Sequence, residues 1–505
     1  MDKLQELINT LSEDDKREFR VFINRQKSKK HRKDLDLFEL IAVNVDAIEI
    51  QNNLYKTPNK VAYHTLRKRL LKHLTDFIVL KQIDDDTTAT SAITGLISLA
   101  TYLFKNKSYE FAWRTLTKAE QTAIDNEHYE LLNAIYQIQI EESDNEFAPN
   151  ITDIYNKWET NKVLVDENEK TNIAYNFIKK EINEFILKGE NKDINQIIES
   201  LLTKYKLNNI VFKRPEILYK VLDLTRKVML SKKDFYNFEP YIIKMYKELV
   251  AKHGFSKKNH FYKIHILYMI AHILYRNRKF KNSNTYLDKM KASMLEHNKS
   301  YYKQFYPKYI MLSAANFTFL NKNGKSINLL NDIKSSIFKK LPIEDQLNIK
   351  MNLSIYYGYA NEYKKCNFII QTLNHSDNWL TKKMGVEWVM KKNMIEIMIQ
   401  YELENFEIAL NRIRSFERNF TQLFSHPIYA RANEFIQTVK SILNNPSIIK
   451  DVNFIDKVTA SLVKIPFEQE DLQAMGFYAW LKAKMLNKNS YTVLLDIVNQ
   501  NKNNN

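Results

Sequence analysis

The scarcity of glycine constrains the fold of this chain more than any other feature of its sequence. Only seven glycines and nine prolines occur in 505 residues. Glycine supplies the positive φ angles of tight turns and lets backbone approach phosphate groups, whereas proline interrupts helices. A chain with so little of either residue has few β-hairpins and no glycine-rich phosphate loop, and its helices can run long. The composition counts against Rossmann and barrel enzymes and favours an all-α fold.

The remaining composition indicates a folded chain without membrane spans. Hydrophobic residues make up 44% of the sequence, enough for a core, and only the polar tail 501–505 is expected to fray. The single cysteine, Cys366, forms neither an intrachain disulfide nor a structural zinc site. No apolar signal core begins the chain, and no stretch approaches 18 uninterrupted apolar residues. By elimination, we expect a cytoplasmic protein.

Residues 1–85 have the pattern of a separate helical unit. Ser12 precedes three acidic residues, Glu13, Asp14 and Asp15, and is predicted as the N-cap of a first helix. A basic run follows at residues 25–33, and further helices are predicted over residues 35–43 and 59–80. The last of these helices carries an apolar stripe formed by Val61, Leu66, Leu70, Leu74, Phe77 and Ile78.

Residues 90–420 contain a recurring pattern of one aromatic residue, a small residue three positions later, and apolar residues four and seven positions after that. Its clearest copy consists of Tyr109, Ala112, Leu116 and Ala119. In the helix that precedes this copy, Leu99, Ala100 and Leu103 occupy the small or apolar positions where the two helices of a hairpin cross. Further copies are Phe280, Ser283, Leu287, Met290; Tyr363, Cys366, Ile370, Leu373, with Leu353 and Tyr357 upstream; and Phe406, Ala409, Ile413, Phe416. Less complete copies are Ile194, Ile197, Leu201; Phe235, Phe238, Ile242, Met245; and Ser326, Leu330, Ile333. The starting positions fit a period of about 42 residues, and an irregular helical array is the alternative.

Residues 99–119 and 353–373 resemble the tetratricopeptide (TPR) pattern closely, and the other copies resemble it loosely. The resemblance implies a TPR-like superhelical solenoid of helical hairpins, with first helices lining a concave surface. TPR-like proteins act as scaffolds, adaptors or peptide receptors, but the pattern itself names no ligand. The spacing exceeds the 34 residues of an ordinary TPR, and most turns lack the pattern glycines. We predict an N-terminal helical unit (1–85), TPR-like repeats (90–420), closing helices (421–500) and a tail (501–505).

Motifs for catalysis or metal binding are absent from the sequence. No GxSxG, GxGxxG, GxxxxGK[ST] or HExxH motif occurs, and the adjacent carboxylates Glu141 and Glu142 do not face each other on a helix. Burial at the small position of a repeat explains Cys366. His265 and His272 lie seven residues apart and share a helix face, but no carboxylate has a supporting spacing, so we interpret them as packing or surface residues. The sequence therefore predicts no enzyme, no cofactor and no metal site.

The net charge of +17 is concentrated in one central segment. Between Lys204 and Lys308 there are 24 Lys or Arg against 7 Asp or Glu. Such a balance suits an acidic protein or peptide, or the phosphates of a nucleic acid, although lysines on helices are often only solvated surface. The candidate partner-binding residues are Lys213, Arg214, Lys257, Lys258, Arg276, Arg278, Lys279 and Lys281.

The N-terminal unit offers a third hypothesis. Helices ahead of a TPR-like array resemble the arrangement of peptide-sensing regulators that carry a helix-turn-helix, and residues 64–73 could form a basic helix lying on DNA. However, no short glycine-containing turn precedes that helix, and Arg67, Lys68 and Arg69 spread around it. Our main hypothesis is a non-catalytic scaffold or adaptor that binds a protein or peptide on its repeat surface. Nucleic-acid binding through residues 204–308 or through the N-terminal unit is the alternative.

Overall fold

The computed structural model describes residues 3–25, 33–43, 45–55, 59–86, 89–188, 200, 203–204, 214–232, 236, 238–252, 254–425, 427–462 and 472–500. Every regular element in these ranges is a helix, so the fold class is all-α, as the sequence predicts. The chain divides into two compact units. Unit 1 consists of Met1–Glu181 with Ser256–Lys258, and unit 2 consists of Ile182–Phe255 with Asn259–Asn505.

Unit 1 contains two groups of helices, each with a core of its own. The first group surrounds buried residues such as Phe19, Phe38 and Leu70, and the second surrounds Ala112 and Leu116. The helices of the first group are α1 (Lys3–Asn9), α2 (Glu13–Arg25), α3 (Lys33–Ala42), α4 (Ala47–Leu54) and α5 (Lys60–Asp85). The second group comprises α6 (Thr90–Lys105), α7 (Tyr109–Asp125), α8 (Tyr129–Glu141) and α9 (Ile151–Lys188), which continues past the boundary of the unit.

The N-terminal helices follow the sequence prediction in part. Ser12 caps α2 as expected, because its hydroxyl oxygen accepts a hydrogen bond from the amide of Asp15 at 3.1 Å. The short helices α1 and α4 were not predicted. The placement of Val61 in the apolar stripe is wrong, since this residue is 78% exposed. At roughly 100° per residue it lies opposite Leu70, and Tyr63 takes a core position instead. Residues 26–32 of the basic run lie outside the described residues.

Unit 2 is a succession of helices that pack mainly on their neighbours in sequence, the arrangement of a helical-repeat solenoid. The helices are α10 (Pro215–Lys232), α11 (Phe238–Lys252), α12 (His260–Arg276), α13 (Phe280–Leu295), α14 (Tyr302–Phe319), α15 (Asn323–Asn331), α16 (Ser335–Phe338), α17 (Ile343–Tyr359), α18 (Tyr363–Gln371), α19 (Asp377–Met384), α20 (Val386–Glu402), α21 (Phe406–Phe420), α22 (Pro427–Asn444), α23 (Val452–Leu462), α24 (Leu472–Leu486) and α25 (Ser490–Gln500). Hairpins form from the pairs α12 and α13, α14 and α15, α17 and α18, α20 and α21, and α24 and α25.

The turns of these hairpins are formed without glycine, which explains how the chain can contain so many hairpins and so few glycines. A non-glycine residue adopts the left-handed conformation at each of four successive turns: Arg278, Asn321, Asn361 and Glu404, with φ of 60°, 59°, 61° and 60°. The first turn is closed by hydrogen bonds from the amide of Arg278 to Tyr275 O (3.0 Å) and from Lys279 to Leu274 O (2.8 Å), and the others repeat this pattern. The turns follow at intervals of 43, 40 and 43 residues. The predicted period of about 42 for the whole array stays a prediction.

The small residue of the recurring pattern lies where the two helices of a hairpin touch. Ser283, Ser326 and Cys366 are fully buried, and each donates a hydrogen bond to a carbonyl of the first helix. A larger side chain would separate the helices at this contact. The apolar residues that follow are buried as well: Leu287, Met290, Leu330, Ile333, Ile370, Leu373, Ile413 and Phe416.

Some pattern residues are not core residues. Leu99 is 41% exposed because Ala100, Leu103 and Phe104 form the buried face of α6, so its predicted interior place is wrong. Phe406 is also largely exposed. Residues Ile194, Ile197, Leu201 and Phe235 of the less complete copies lie outside the described residues.

Cys366 is expected to resist alkylation as long as the hairpin of α17 and α18 is folded. Its side chain is 1% exposed, its thiol donates to Ser354 O at 3.1 Å, and burial raises the pKa of the thiol to about 12. Iodoacetamide should therefore label the chain only in denaturant, which intact-mass measurement detects. Rapid labelling of the native protein would contradict this packing.

The hairpin of α24 and α25 packs on hairpins that occur much earlier in the sequence. The rings of Phe280 and Phe319 are stacked at 5.2 Å and share a core with residues of α24 and α25. The hydroxyl of Tyr491 donates to Thr318 O at 2.5 Å, and the indole N–H of Trp480 donates to Glu402 Oε1 at 2.5 Å. The C-terminal hairpin thereby closes one side of the repeat stack.

Candidate functional site

A cavity of about 570 Å³ lies within unit 2. Its walls come mostly from the first helices of consecutive hairpins, α12, α14, α17 and α20, and from α24, with smaller contributions from α18, α19 and α25. This volume falls in the range of about 300–1,000 Å³ that is usual for small-molecule and cofactor sites. The contribution of α24 includes Gly476, where a Cβ would lie 2.7 Å from the hydroxyl oxygen of Tyr359, so the helix approaches the stack closely.

Most of the wall is apolar and rich in methionine and aromatic rings. Four methionines take part, Met311, Met351, Met384 and Met398, together with rings that include Trp388 and Phe477. Methionine side chains are unbranched and polarizable, so they adapt to apolar groups of different shapes. The wall suits a ligand with sizeable apolar parts.

Two asparagines one turn apart on α17 provide amide groups in this wall. Asn348 accepts a hydrogen bond from the indole N–H of Trp388 at 2.9 Å. Within the described residues, the side chain of Asn352 makes no hydrogen bond. An amide side chain both donates and accepts, which matches the groups of a peptide backbone.

Lys308 on α14 is a half-buried cation in the wall of the cavity. Its Nζ lies 5.8 Å from the centroid of the Tyr268 ring and 5.4 Å from that of Phe305. No carboxylate oxygen in the described ranges lies within 4.0 Å of it, by contrast with Lys279 or Lys258. Burial lowers the pKa of Lys308, and the more distant Asp345 partly opposes this shift. A cation held half-buried without an ion pair is well placed to receive an anionic group.

The remaining charges leave the cavity positive. Among the described lining residues, the cations are Arg276, Lys308 and Lys391, and the one carboxylate is Glu387. The nearby His265 adds no charge at neutral pH, because burial, followed by the charge of Lys308, lowers its pKa to about 4. An anion is therefore favoured over a cation as ligand.

The structure distributes the predicted partner-binding residues over different environments. Arg276 lines the cavity, Arg278 is buried with Nη2 3.5 Å from the sulfur of Met475, and Lys279 pairs with Glu239 at 2.8 Å. Lys257 and Lys258 are exposed and belong to unit 1, where Lys258 pairs with Glu127 at 3.3 Å. Of the others, Arg214 is half-buried ahead of α10, Lys281 is exposed on α13, and Lys213 lies outside the described residues.

Sequence reasoning missed most of the cavity. Lys308 belongs to the basic segment but is not among the predicted partner-binding residues, and Asn348, Asn352 and Lys391 lie beyond that segment. All four residues lie on the first helices of hairpins. The polar positions of those helices were therefore a signal in the sequence that could have identified them. Assigning those positions to the cavity wall requires the register of each hairpin, which the stretched spacing hides.

The basic residues of the predicted DNA-contacting helix are engaged inside the N-terminal helices. Arg69 pairs with the buried Asp34, with Nε 3.1 Å from Oδ2. Arg67 donates to the hydroxyl of Tyr63 at 3.1 Å. Arg69 thus takes part in the packing of α3 on α5, and Arg67 makes a contact within α5.

No protein-family model, curated protein or solved structure matches this chain. In the part of the chain that the structure describes, no helix is both long enough and apolar enough to cross a membrane. The fold is a bundle of consecutive helices with local contacts, the architecture of the helical-repeat class.

Proposed function

We propose that this protein is a non-catalytic, TPR-like binding protein that holds a short peptide with a free carboxylate in the cavity of unit 2. The observation that carries the proposal is Lys308, a half-buried cation without an ion pair in the wall of an otherwise largely apolar cavity. Repeat proteins use such concave first-helix surfaces for extended ligands.

The chemistry of the wall supports a peptide as the ligand class. The carboxylate would pair with Lys308, with Arg276 and Lys391 adding to the positive potential. Asn352 and the free amide hydrogens of Asn348 would bond to the peptide backbone. The methionine and aromatic wall would take apolar side chains.

Nucleic-acid binding receives less support from the same residues. Lys258 and Lys279 are neutralised by ion pairs, and Arg278 is buried. Phosphate recognition requires exposed cations that follow the nucleic-acid backbone. A peptide in the cavity is therefore the function that the described residues favour.

The proposal is tested with the full-length chain and a pool of free-acid tetrapeptides. Peptides that stay with the protein on gel filtration are identified by mass spectrometry. Ala315 lines the cavity, and Ala315→Trp should fill it and abolish retention. Ala360→Trp, at an exposed turn position, is the matched control and should retain the same peptides as the wild type. Equal retention by Ala315→Trp, with its helix content intact, would reject the cavity as the site.

A further inference from the structure

Three side chains with metal-binding atoms converge at the open end of the hairpin formed by α12 and α13. His260 is the first residue of α12, and Glu296 and His297 directly follow the last residue of α13. One ligand atom from each side chain lies within 4.8 Å of the other two. All three residues belong to unit 2, and the peptide cavity is lined by other residues.

The hydrogen bond of His260 determines which ring nitrogen is available. Nε2 lies 2.7 Å from the carbonyl oxygen of Ser293, which can only accept, so Nε2 carries the hydrogen. In the neutral imidazole Nδ1 then holds a lone pair, and Nδ1 lies 3.6 Å from Oε2 of Glu296. The ring is buried, so water has little access to it. A lone pair and a carboxylate that face each other repel, and a cation bound between them would remove this repulsion.

This arrangement is the one that metal-ligating histidines adopt in proteins. The nitrogen away from the metal donates to a backbone carbonyl, which fixes the tautomer and orients the ring.

The chain reversal after α13 brings the third side chain to this point. His297, Asn298 and Lys299 all have positive φ, of 48°, 58° and 60°. The turn is fastened by hydrogen bonds from the amide of Lys299 to Glu296 O (2.9 Å) and from the amide of Glu296 to Ser293 O (3.1 Å). As a result the rings of His297 and His260 lie edge to face, with centroids 4.5 Å apart.

We infer that His260 Nδ1, the Glu296 carboxylate and the His297 imidazole form a binding site for a transition-metal dication of the zinc class. Two imidazoles and one carboxylate form a known zinc donor set, with a fourth position left for water. Imidazole nitrogens favour zinc and its neighbours over magnesium or calcium. A bound ion would join the start of α12 to the end of α13 and so close the hairpin opposite its turn.

Lys263 determines how strongly the ion is held. Its Nζ lies 3.1 Å from both oxygens of Glu296, and the ion needs one of these oxygens. The ammonium group and the ion therefore compete for the same carboxylate. Removing the ammonium group while keeping the length of the side chain, as in Lys263→Met, should raise metal affinity, a response that an adventitious surface histidine would not give.

The site is tested by titrating untagged, metal-depleted full-length protein with zinc chloride against a chromogenic chelator. We expect one tightly held zinc ion per chain. His297→Ala and Glu296→Gln should each weaken binding by at least about tenfold, since even residues outside the ligand set change affinity by about 10–100-fold. His64→Ala, at an exposed histidine of α5, is the control and should bind as the wild type does.

Two results would overturn the inference. One is wild-type protein that binds no stoichiometric zinc. The other is equal zinc affinity in the wild type, His297→Ala and Glu296→Gln, which would assign any bound ion to other residues. Circular dichroism of each variant ensures that a loss of binding does not come from unfolding, and His260, which is buried, is left unchanged for that reason.

Discussion

Phe280→Ala is expected to lower the free energy of unfolding of unit 2 by about 3–5 kcal/mol, the usual cost of truncating a fully buried phenylalanine. The ring is 2% exposed and stacks on Phe319 at 5.2 Å. It belongs to the core shared with α24 and α25, so its removal leaves a cavity between the C-terminal hairpin and the repeat stack. Urea unfolding followed by circular dichroism measures the change.

The chain provides a matched control at the same position of the recurring pattern. Phe406 also follows a hairpin turn, but it is 47% exposed, with its ring 5.8 Å from that of Tyr401. Phe406→Ala should therefore lower the free energy of unfolding by less than about 1 kcal/mol, as substitutions at exposed positions usually do. If both variants lost the same free energy of unfolding, the position in the pattern would determine the contribution of the residue, and packing against α24 and α25 would not.

Lys308→Met should reduce the affinity for a retained free-acid peptide by about 10–100-fold, because a hydrogen bond to a charged group contributes about 1.5–3 kcal/mol. Methionine keeps the length and apolar character of the side chain and removes only the charge. The wild type should prefer the free acid over the C-terminal amide of the same peptide, and the variant should bind both forms equally weakly. Lys281→Met, at an exposed lysine of α13, is the control. Fluorescence anisotropy with labelled peptide measures the affinity of each protein for both forms of the peptide, and an unchanged acid preference in Lys308→Met would contradict the role of Lys308.

The pH dependence of binding follows from the lowered pKa of Lys308. The peptide carboxylate is ionised above about pH 4, so the charge on Lys308 limits binding in alkaline solution. Burial favours the neutral amine, so the charge is lost at a lower pH than for an exposed lysine. Affinity should fall as the pH rises through that lowered pKa, and Lys308→Arg should remove the fall because arginine stays charged.

The sequence predicts the helical architecture because its information is local. The small and apolar positions of the recurring pattern, such as Ser283 and Ile413, are buried because hairpin packing requires them to be. The left-handed conformation of the non-glycine turn residues, by contrast, does not follow from local sequence preference. Residues such as Arg278 and Glu404 adopt left-handed φ at an intrinsic cost of roughly 1–2 kcal/mol, which the hydrogen bonds of the turn and the packing of the hairpin offset.

The cavity could not be predicted in the same way. It requires the hairpin of α24 and α25 to return to α14, which lies more than a hundred residues earlier, as the contact between Tyr491 and Thr318 illustrates. No periodicity in the sequence encodes this pairing. The convergence of His260 with His297 also depends on tertiary structure, because the two are brought together by the length of a hairpin and a left-handed turn.

The most direct test of the peptide cavity is methyl NMR of the protein labelled at its 14 methionines. Met311, Met351, Met384 and Met398 line the cavity, whereas Met290 and Met294 are buried in a different core. Addition of a retained free-acid peptide should shift the four cavity signals and leave those of Met290 and Met294 in place. Binding that leaves the four cavity methyl groups unperturbed would contradict the assignment of this cavity as the ligand site.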